Sequence, residues 1–181
     1  MRKVIFNYGD IMNLQDHIRD IPDFPKPGII FKDITTLLKN PEALCESVRL
    51  LAETVSKDDI TSVIGIESRG FIFGTAVACQ LGKGFIPIRK PGKLPAETIS
   101  ESYELEYGTD TIEMHTDALD SSDRVLLIDD LLATGGTMAA AVKLVEKTGA
   151  EVIRIAFVIE LGFLKGREKL PGCELTSLIT Y

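Results

Sequence analysis

One stretch, residues 125–139, restricts the fold of this chain more than any other, because it joins a strand, a tight turn and a helix. It opens with four apolar residues, 125–128, and runs directly into two adjacent acids, Asp129 and Asp130. An uninterrupted apolar run of this length is typical of a strand that is buried on both faces of a parallel sheet. The stretch therefore predicts a buried strand that ends in two acidic side chains.

The small residues that follow form a glycine-rich turn, residues 133–137, ahead of an apolar-periodic segment. We expect this turn to open a helix, whose first amide groups lack partners within the helix. Such amides and the helix dipole point at one place and bind anions. Acids beside an anion site are compatible with one ligand that carries both hydroxyls and a phosphate, so the stretch predicts a sugar-phosphate site. The alternative is that Asp129 and Asp130 belong to a solvated turn.

The remaining segments alternate between strand and helix patterns, which predicts an α/β fold with a mainly parallel sheet flanked by helices. Partial alternation also predicts an inserted β-hairpin, the hood, at about residues 97–115. We expect an N-terminal cap before these strands and helices, and a single domain over residues 1–181. Strands are further predicted at 63–66, 85–88 and 152–159 and at an edge position, 175–181, and helices at 11–21, from Pro41, at 71–81, at 138–148 and at 165–170.

Charged loops follow two of the other predicted strands. Residues 67–70, which include Arg69, follow the strand at 63–66, and Arg89, Lys90 and Lys93 follow the next strand. Open α/β sheets bind ligands at the carboxyl ends of their strands. These cations are able to neutralise a highly charged phosphate group, although three cations in a short loop are also typical of a solvated surface. A phosphate, a diol and a second phosphate group together describe phosphoribosyl diphosphate.

Composition excludes several classes of partner. The net charge of −7 and the pI of about 4.9 argue against nucleic acid and anionic membrane as partners. The three cysteines form no zinc-binding pattern and indicate a reduced, intracellular protein. The first ten residues lack the features of a signal peptide, and no apolar run reaches the length of a membrane span. The cytoplasm is therefore the expected location.

Residues 125–137, VLLIDDLLATGGT, resemble the phosphoribosyl-diphosphate-binding motif of type I phosphoribosyltransferases. No lysine follows the glycines and the GxGxxG pattern is absent, so a Walker loop and a dinucleotide-binding fold find no support. The resemblance is most extensive to the members of that family that act on adenine, and it covers about Ile11 to Tyr181. It is carried by five more segments, which follow one another in the same order: DFPKPGIIFKDIT, ESRGF, PIRKPGKLP, SYELEYGTD and LKGREKL.

The resemblance implies the transfer of a phosphoribosyl group to adenine, with AMP and diphosphate as products. It implies Mg²⁺ as cofactor, carried by the substrate and by water near Asp129 and Asp130 without a direct protein ligand, and it implies a homodimer. A cis peptide bond is expected in the loop at 67–69. The residues implied for the phosphoribosyl group are Asp129, Asp130, Ala133, Thr134, Gly135, Gly136 and Thr137, and those implied for the diphosphate are Ser68, Arg69, Arg89 and Lys90.

The resemblance also implies an adenine pocket and a catalytic group. Phe31 and Leu131 would stack on the two faces of the base, and backbone groups of Ile30 would read its Watson–Crick edge. A 6-oxopurine has the opposite hydrogen-bonding polarity and would leave buried groups unpaired. In the hood, Glu106 would manage a proton on adenine, and Tyr107 would exclude water.

Two alternatives remain open on the sequence alone. The first keeps the chemistry and changes the base to hypoxanthine, guanine or xanthine. The segment PGIIF lacks a recognisable charged group for a 6-oxo atom, which argues against it. The second is a regulator that keeps the fold and the ligand site but has lost catalysis. The presence of Glu106 in the hood argues against that one.

Overall fold

The structure is a computed structural model that describes residues 12–104 and 108–181. The chain forms two compact units, the first ending at Ser47 and the second spanning Val48–Tyr181. Each unit is described by itself below. The expectation of one domain over residues 1–181 stays a prediction.

The first unit is built on an antiparallel pair of short strands, β1 (Arg19–Pro22) and β2 (Ile30–Asp33). A 3₁₀ helix, Leu14–His17, precedes β1, and helix α1 (Thr35–Lys39) follows β2. Helix α2 (Pro41–Ala52) begins where the sequence predicted, because the Asn40 side chain accepts a 2.8 Å hydrogen bond from the amide of Ala43.

The helix predicted at 11–21 is wrong over its described part. Ile21, which was placed on the apolar face of that helix, lies in β1 opposite Phe31. Ion pairs from Arg19 to Asp33 and from Lys32 to Asp20 join the two strands. These partners are 14 and 12 residues apart in the chain, respectively, so a helical periodicity read from neighbouring residues could not reveal them.

The second unit is centred on a five-stranded parallel sheet. Its strands are β3 (Ser62–Ile66), β4 (Gly84–Ile88), β7 (Arg124–Leu132), β8 (Glu151–Glu160) and β9 (Leu175–Thr180). Their order across the sheet is β4-β3-β7-β8-β9. Strand β7 is central, and its apolar run at 125–128 has no exposed surface. The predicted parallel α/β sheet is thereby confirmed, including the edge position of β9.

Helix α3 (Gly70–Leu81) connects β3 to β4, and α4 (Gly136–Thr148) connects β7 to β8. Helix α4 ends at Gly149, whose φ of +83° is a left-handed conformation that favours glycine. The short helix predicted at 165–170 is two 3₁₀ turns instead, Gly162–Leu164 and Gly166–Lys169. In the described part of the chain, no helix is long and apolar enough to cross a membrane.

The hood consists of strands β5 (Thr98–Glu104) and β6 (Thr109–His115), which pair antiparallel as predicted. Backbone hydrogen bonds between Arg89 and Glu113, of 2.9 and 2.7 Å, attach β6 to the loop after β4. On the other strand, Glu101 forms ion pairs with Lys143 and Lys147 of α4. The hood is therefore attached both to a strand-end loop of the sheet and to α4.

Candidate active site

A cavity of about 520 Å³ lies at the carboxyl ends of β3, β4 and β7. This edge of the sheet is where the sequence predicted a ligand site. The cavity is lined by Glu67, Ser68, Arg69, Lys90, Tyr103, Ile112, Asp129, Asp130, Leu131 and Thr137. Residues from both charged loops, the acid pair, the glycine-rich turn and the hood therefore share one space.

The acid pair lies within β7 rather than after it, because β8 continues the ladder as far as Leu132 and Glu160. Burial raises the pKa of Asp129 well above its usual range, and the neighbouring negative charge of Asp130 raises it further. Burial also raises the pKa of Asp130, against the opposing effect of Arg69. A Cβ on Gly70 would come within 2.9 Å of Asp129 Oδ1, so α3 begins close to this carboxylate because its first residue lacks a side chain.

Each cation that the sequence assigned to the diphosphate contacts a carboxylate of the protein. Arg69 Nε lies 2.8 Å from Asp130 Oδ2, and Arg89 forms two hydrogen bonds with Glu67. Lys90 contacts Asp110 of the hood. Acidic side chains thus hold all three cations, two of which, Arg69 and Lys90, line the cavity.

Sequence reasoning missed the role of Glu67. Its carboxylate accepts a 3.0 Å hydrogen bond from the amide of Lys90 as well as the bonds from Arg89. The amide of Lys90 and the Arg89 guanidinium lower the pKa of Glu67, against the effect of burial. The sequence signal was its position directly after β3, facing a basic loop on the neighbouring strand. The Glu67–Ser68 peptide bond is cis, as the resemblance implied.

The glycine-rich turn encloses a smaller pocket of about 80 Å³. Its lining includes residues 133–137 together with Asp129 and Leu131, so it adjoins the larger cavity. Gly135 has a φ of +80°, and a Cβ built on it would collide with the carbonyl oxygen of Gly166. A Cβ on Gly166 would in turn collide with the carbonyl oxygen of Ala133. The turn therefore keeps its shape by resting on the backbone at Gly166.

Gly166 is held in place by an ion pair that sequence reasoning did not identify. Arg167 donates hydrogen bonds of 2.6 and 2.7 Å to the two carboxylate oxygens of Glu160. Ser177 on β9 donates a third bond of 2.7 Å to Glu160. The segment LKGREKL thus supports the glycine-rich turn through the backbone at Gly166.

Four of the predicted site residues belong to the first unit or fall outside the described residues. Ile30 and Phe31 are in β2 of the first unit, where the Phe31 ring contacts Phe24 at a centroid distance of 5.2 Å. Glu106 and Tyr107 lie outside the described residues. Among residues 12–104 and 108–181, no group of three or more histidine, cysteine or acidic side chains is arranged to hold a metal ion.

A profile of the phosphoribosyl transferase domain matches residues 33–171 of this chain. An adenine phosphoribosyltransferase of Yersinia pestis (strain Pestoides F) is 55% identical over 170 residues, which cover 93% of this chain and 91% of that protein. The crystal structure of adenine phosphoribosyltransferase from Thermoanaerobacter pseudethanolicus matches with a TM-score of 0.90 at 52% identity, and covers 93% of this chain and 98% of that one.

The Saccharomyces cerevisiae adenine phosphoribosyltransferase was solved in complex with adenine and an imino-altritol bisphosphate. It matches with a TM-score of 0.85 at 41% identity, over 91% of this chain and 96% of that one. The family profile, the sequence identity and the fold similarity all point to the same family, and the relatives named here cover more than nine tenths of the chain. The chain belongs to the phosphoribosyltransferase family and, within it, to the group of adenine phosphoribosyltransferases.

Proposed function

We propose that this protein transfers a phosphoribosyl group from phosphoribosyl diphosphate to adenine, forming AMP and diphosphate in purine salvage. The observation that carries the proposal is the shared cavity, in which the glycine-rich turn, the acid pair and the cationic loops lie side by side. The order of these groups matches a phosphate, a ribose and a diphosphate. The adenine-specific relatives support the choice of base.

The residues divide the substrate between them. The amides and hydroxyls of residues 133–137 hold the 5′-phosphate, because unpaired amides at the start of α4 favour an anion. Asp129 and Asp130 accept hydrogen bonds from the ribose hydroxyls. Ser68, Arg69, Arg89 and Lys90 hold the diphosphate and stabilise the charge that grows on it as the bond to the anomeric carbon breaks.

The acid pair also fits Mg²⁺ as the cofactor. Mg²⁺ prefers oxygen ligands and keeps several of its waters, and two adjacent carboxylates open to the cavity offer such oxygens to its water shell. When bound, the ion neutralises charge on the diphosphate leaving group. Asp129 and Asp130 would hold the hydrated ion through its waters, and they orient the ribose hydroxyls.

We assign the adenine-binding residues on the resemblance to the family. Phe31 and Leu131 stack on adenine, and the backbone of Ile30 pairs with its amino group and ring nitrogen. Leu131 lines the same cavity as the acid pair, which supports its part in this assignment. In the hood, Glu106 acts on the proton of adenine as it attacks, and Tyr107 shields the site from water.

A single assay separates this function from its alternatives. The protein is incubated with phosphoribosyl diphosphate, Mg²⁺ and one purine base at a time, and nucleotide formation is followed by chromatography. AMP from adenine, with far less nucleotide from hypoxanthine, guanine or xanthine, is the expected result. A preference for a 6-oxopurine would overturn the choice of base, and no nucleotide from any base would favour a regulator that only binds the ligand.

Asp129→Asn and Asp130→Asn are expected to weaken the binding of phosphoribosyl diphosphate about tenfold, because each removes a charged hydrogen-bond acceptor from the ribose. Asp129→Asn should at the same time raise the free energy of unfolding at pH 7, by on the order of 1 kcal/mol, because it removes a buried charge next to another. Calorimetry with the ligand and denaturant unfolding measure the two effects.

The pH dependence of unfolding provides a further check on Asp129. A carboxyl with a raised pKa binds its proton more tightly in the folded state. The wild-type protein should therefore lose stability as the pH rises from 3.8, the value of a free aspartate, through the higher folded pKa. Asp129→Asn should show a smaller loss, because of the two acids only Asp130 then has a pKa that burial raises. An equal pH profile in the two proteins, or unchanged ligand affinity, would contradict the assignment.

We also propose that the protein acts in the cytoplasm as a homodimer. The location rests on the cysteine pattern of the sequence, and the homodimer rests on the resemblance to the family. Analytical ultracentrifugation at micromolar concentration tests the second, and a sedimentation coefficient that matches a single chain would overturn it.

A further inference from the structure

The hood contacts the cationic loop through a cluster of three residues, of which only Lys90 has a role in the proposed function. Lys90 contacts the carboxylate of Asp110 on β6, and Tyr103 on β5 donates a 3.2 Å hydrogen bond to the same oxygen, Asp110 Oδ2. Lys90 Nζ also lies 3.5 Å from the Tyr103 hydroxyl. Two hood residues therefore surround the head group of one cation.

The cluster lies between the cationic loop and the start of α4. Lys90 and Tyr103 line the main cavity together with the acid pair. The Tyr103 ring also lies against the start of α4, since a Cβ on Gly136 would come within 3.2 Å of it. The hood strand thus extends from the pocket for the 5′-phosphate to the cation that faces the diphosphate.

Charge determines how the cluster responds to a polyanion. The hydrogen bond from Lys90 lowers the pKa of Asp110, so this carboxylate is ionised at neutral pH. The Lys90 side chain is 39% exposed and that of Asp110 is 29% exposed, so the pair is accessible to an incoming ligand. A diphosphate carries more negative charge than one carboxylate, and it competes for the same ammonium group.

We propose that the Asp110 carboxylate and a diphosphate group compete for the same place on Lys90. Binding then exchanges the Lys90–Asp110 contact for a contact between Lys90 and phosphate, and departure of the diphosphate restores it. Asp110 is a positioning residue in this scheme, because it acts on the ligand through Lys90. It limits the affinity for diphosphate and so assists product release. The inference rests on the proposed function only in assigning the diphosphate to Lys90.

The test measures the binding of inorganic diphosphate by calorimetry. Asp110→Asn keeps the shape of the side chain and its bond from Tyr103 but removes the competing charge. It is expected to bind diphosphate about three- to fivefold more tightly than the wild type, the range set by a partly exposed ion pair. Product inhibition by diphosphate should strengthen by the same factor. Ribose 5-phosphate, which lacks the diphosphate, should bind both proteins equally.

Two comparisons make the result specific. Glu101→Gln removes a hood carboxylate that pairs with α4 instead of Lys90, and it should leave the affinity for diphosphate unchanged. Lys90→Met should weaken the binding, and adding Asp110→Asn to it should have no further effect. An equal gain in the Lys90→Met background would show that Asp110 only repels diphosphate through space, and would overturn the exchange.

The experiment also separates this inference from the proposed function. If the wild-type protein binds diphosphate and Asp110→Asn does not bind it more tightly, the exchange is wrong and the proposed function stands. If the wild-type protein does not bind diphosphate, both are overturned. Thermal unfolding of each variant verifies that the protein compared is folded.

Discussion

Gly135→Ala is expected to lower kcat/KM for phosphoribosyl diphosphate by about 100-fold or more. Alanine at a φ of +80° is strained by about 1–2 kcal/mol. The added carbon would also collide with the carbonyl oxygen of Gly166, which is backbone and cannot rotate away. The glycine-rich turn must then shift, and a displacement of about 1 Å in a group that positions the substrate costs about 100-fold in rate.

Gly172→Ala is the matched control for this prediction. Gly172 has the same φ of +80°, but a Cβ there meets no atom within 4 Å. The control variant therefore carries the backbone strain without the collision. It should lose stability in thermal unfolding while keeping wild-type kcat/KM. If Gly135→Ala also retains wild-type kcat/KM, the turn does not hold the 5′-phosphate in the way we propose.

Glu106→Gln is expected to lower kcat by about 100-fold, within the range of a positioned general acid or base, while the Kd for phosphoribosyl diphosphate stays nearly constant. Displacement at the anomeric carbon passes through an oxocarbenium-like state and needs a nucleophilic base. A carboxylate near N7 of adenine makes the base more nucleophilic by managing its proton. Glutamine keeps the size of the side chain and removes that ability.

Glu104→Gln provides the comparison for the hood. Glu104 is an exposed residue at the end of β5, two positions before Glu106, and it undergoes the same loss of charge. Steady-state kinetics gives kcat, and calorimetry gives the ligand affinity. Wild-type turnover in Glu106→Gln would remove this residue from the mechanism, and an equal drop in both variants would point to the charge of the hood as a whole.

Local patterns in the sequence were sufficient to predict most of the second unit and the start of α2 in the first. The apolar run at 125–128 predicted the buried central strand, since such a run is typical of a strand that is covered on both faces. Asn40 and Pro41 marked the start of α2, and Gly149 marked the end of α4, because capping depends on one or two neighbouring residues. The partial alternation at 99–114 predicted the hood in the same way.

Longer-range contacts accounted for the predictions that were wrong. The spacing of apolar residues at 11–21 predicted a helix, but Ile21 pairs across β1 and β2 with Phe31. The helical spacing was outweighed there by residues of β2. They supply the backbone pairing and the ion pairs that stabilise β1. The same cause extended β7 through Asp129 and Asp130, because β8 continues to pair with it.

The sequence by itself determined which chemical groups the site contains, because the acid pair, the glycine-rich turn and the basic loops are each continuous in the chain. Only the tertiary structure decided how these groups are held. It brings Glu67 to Arg89, Asp110 to Lys90 and Gly166 beneath Gly135. Each contact joins residues 20 or more positions apart, and strand order and packing, which no local pattern encodes, determine which of them meet.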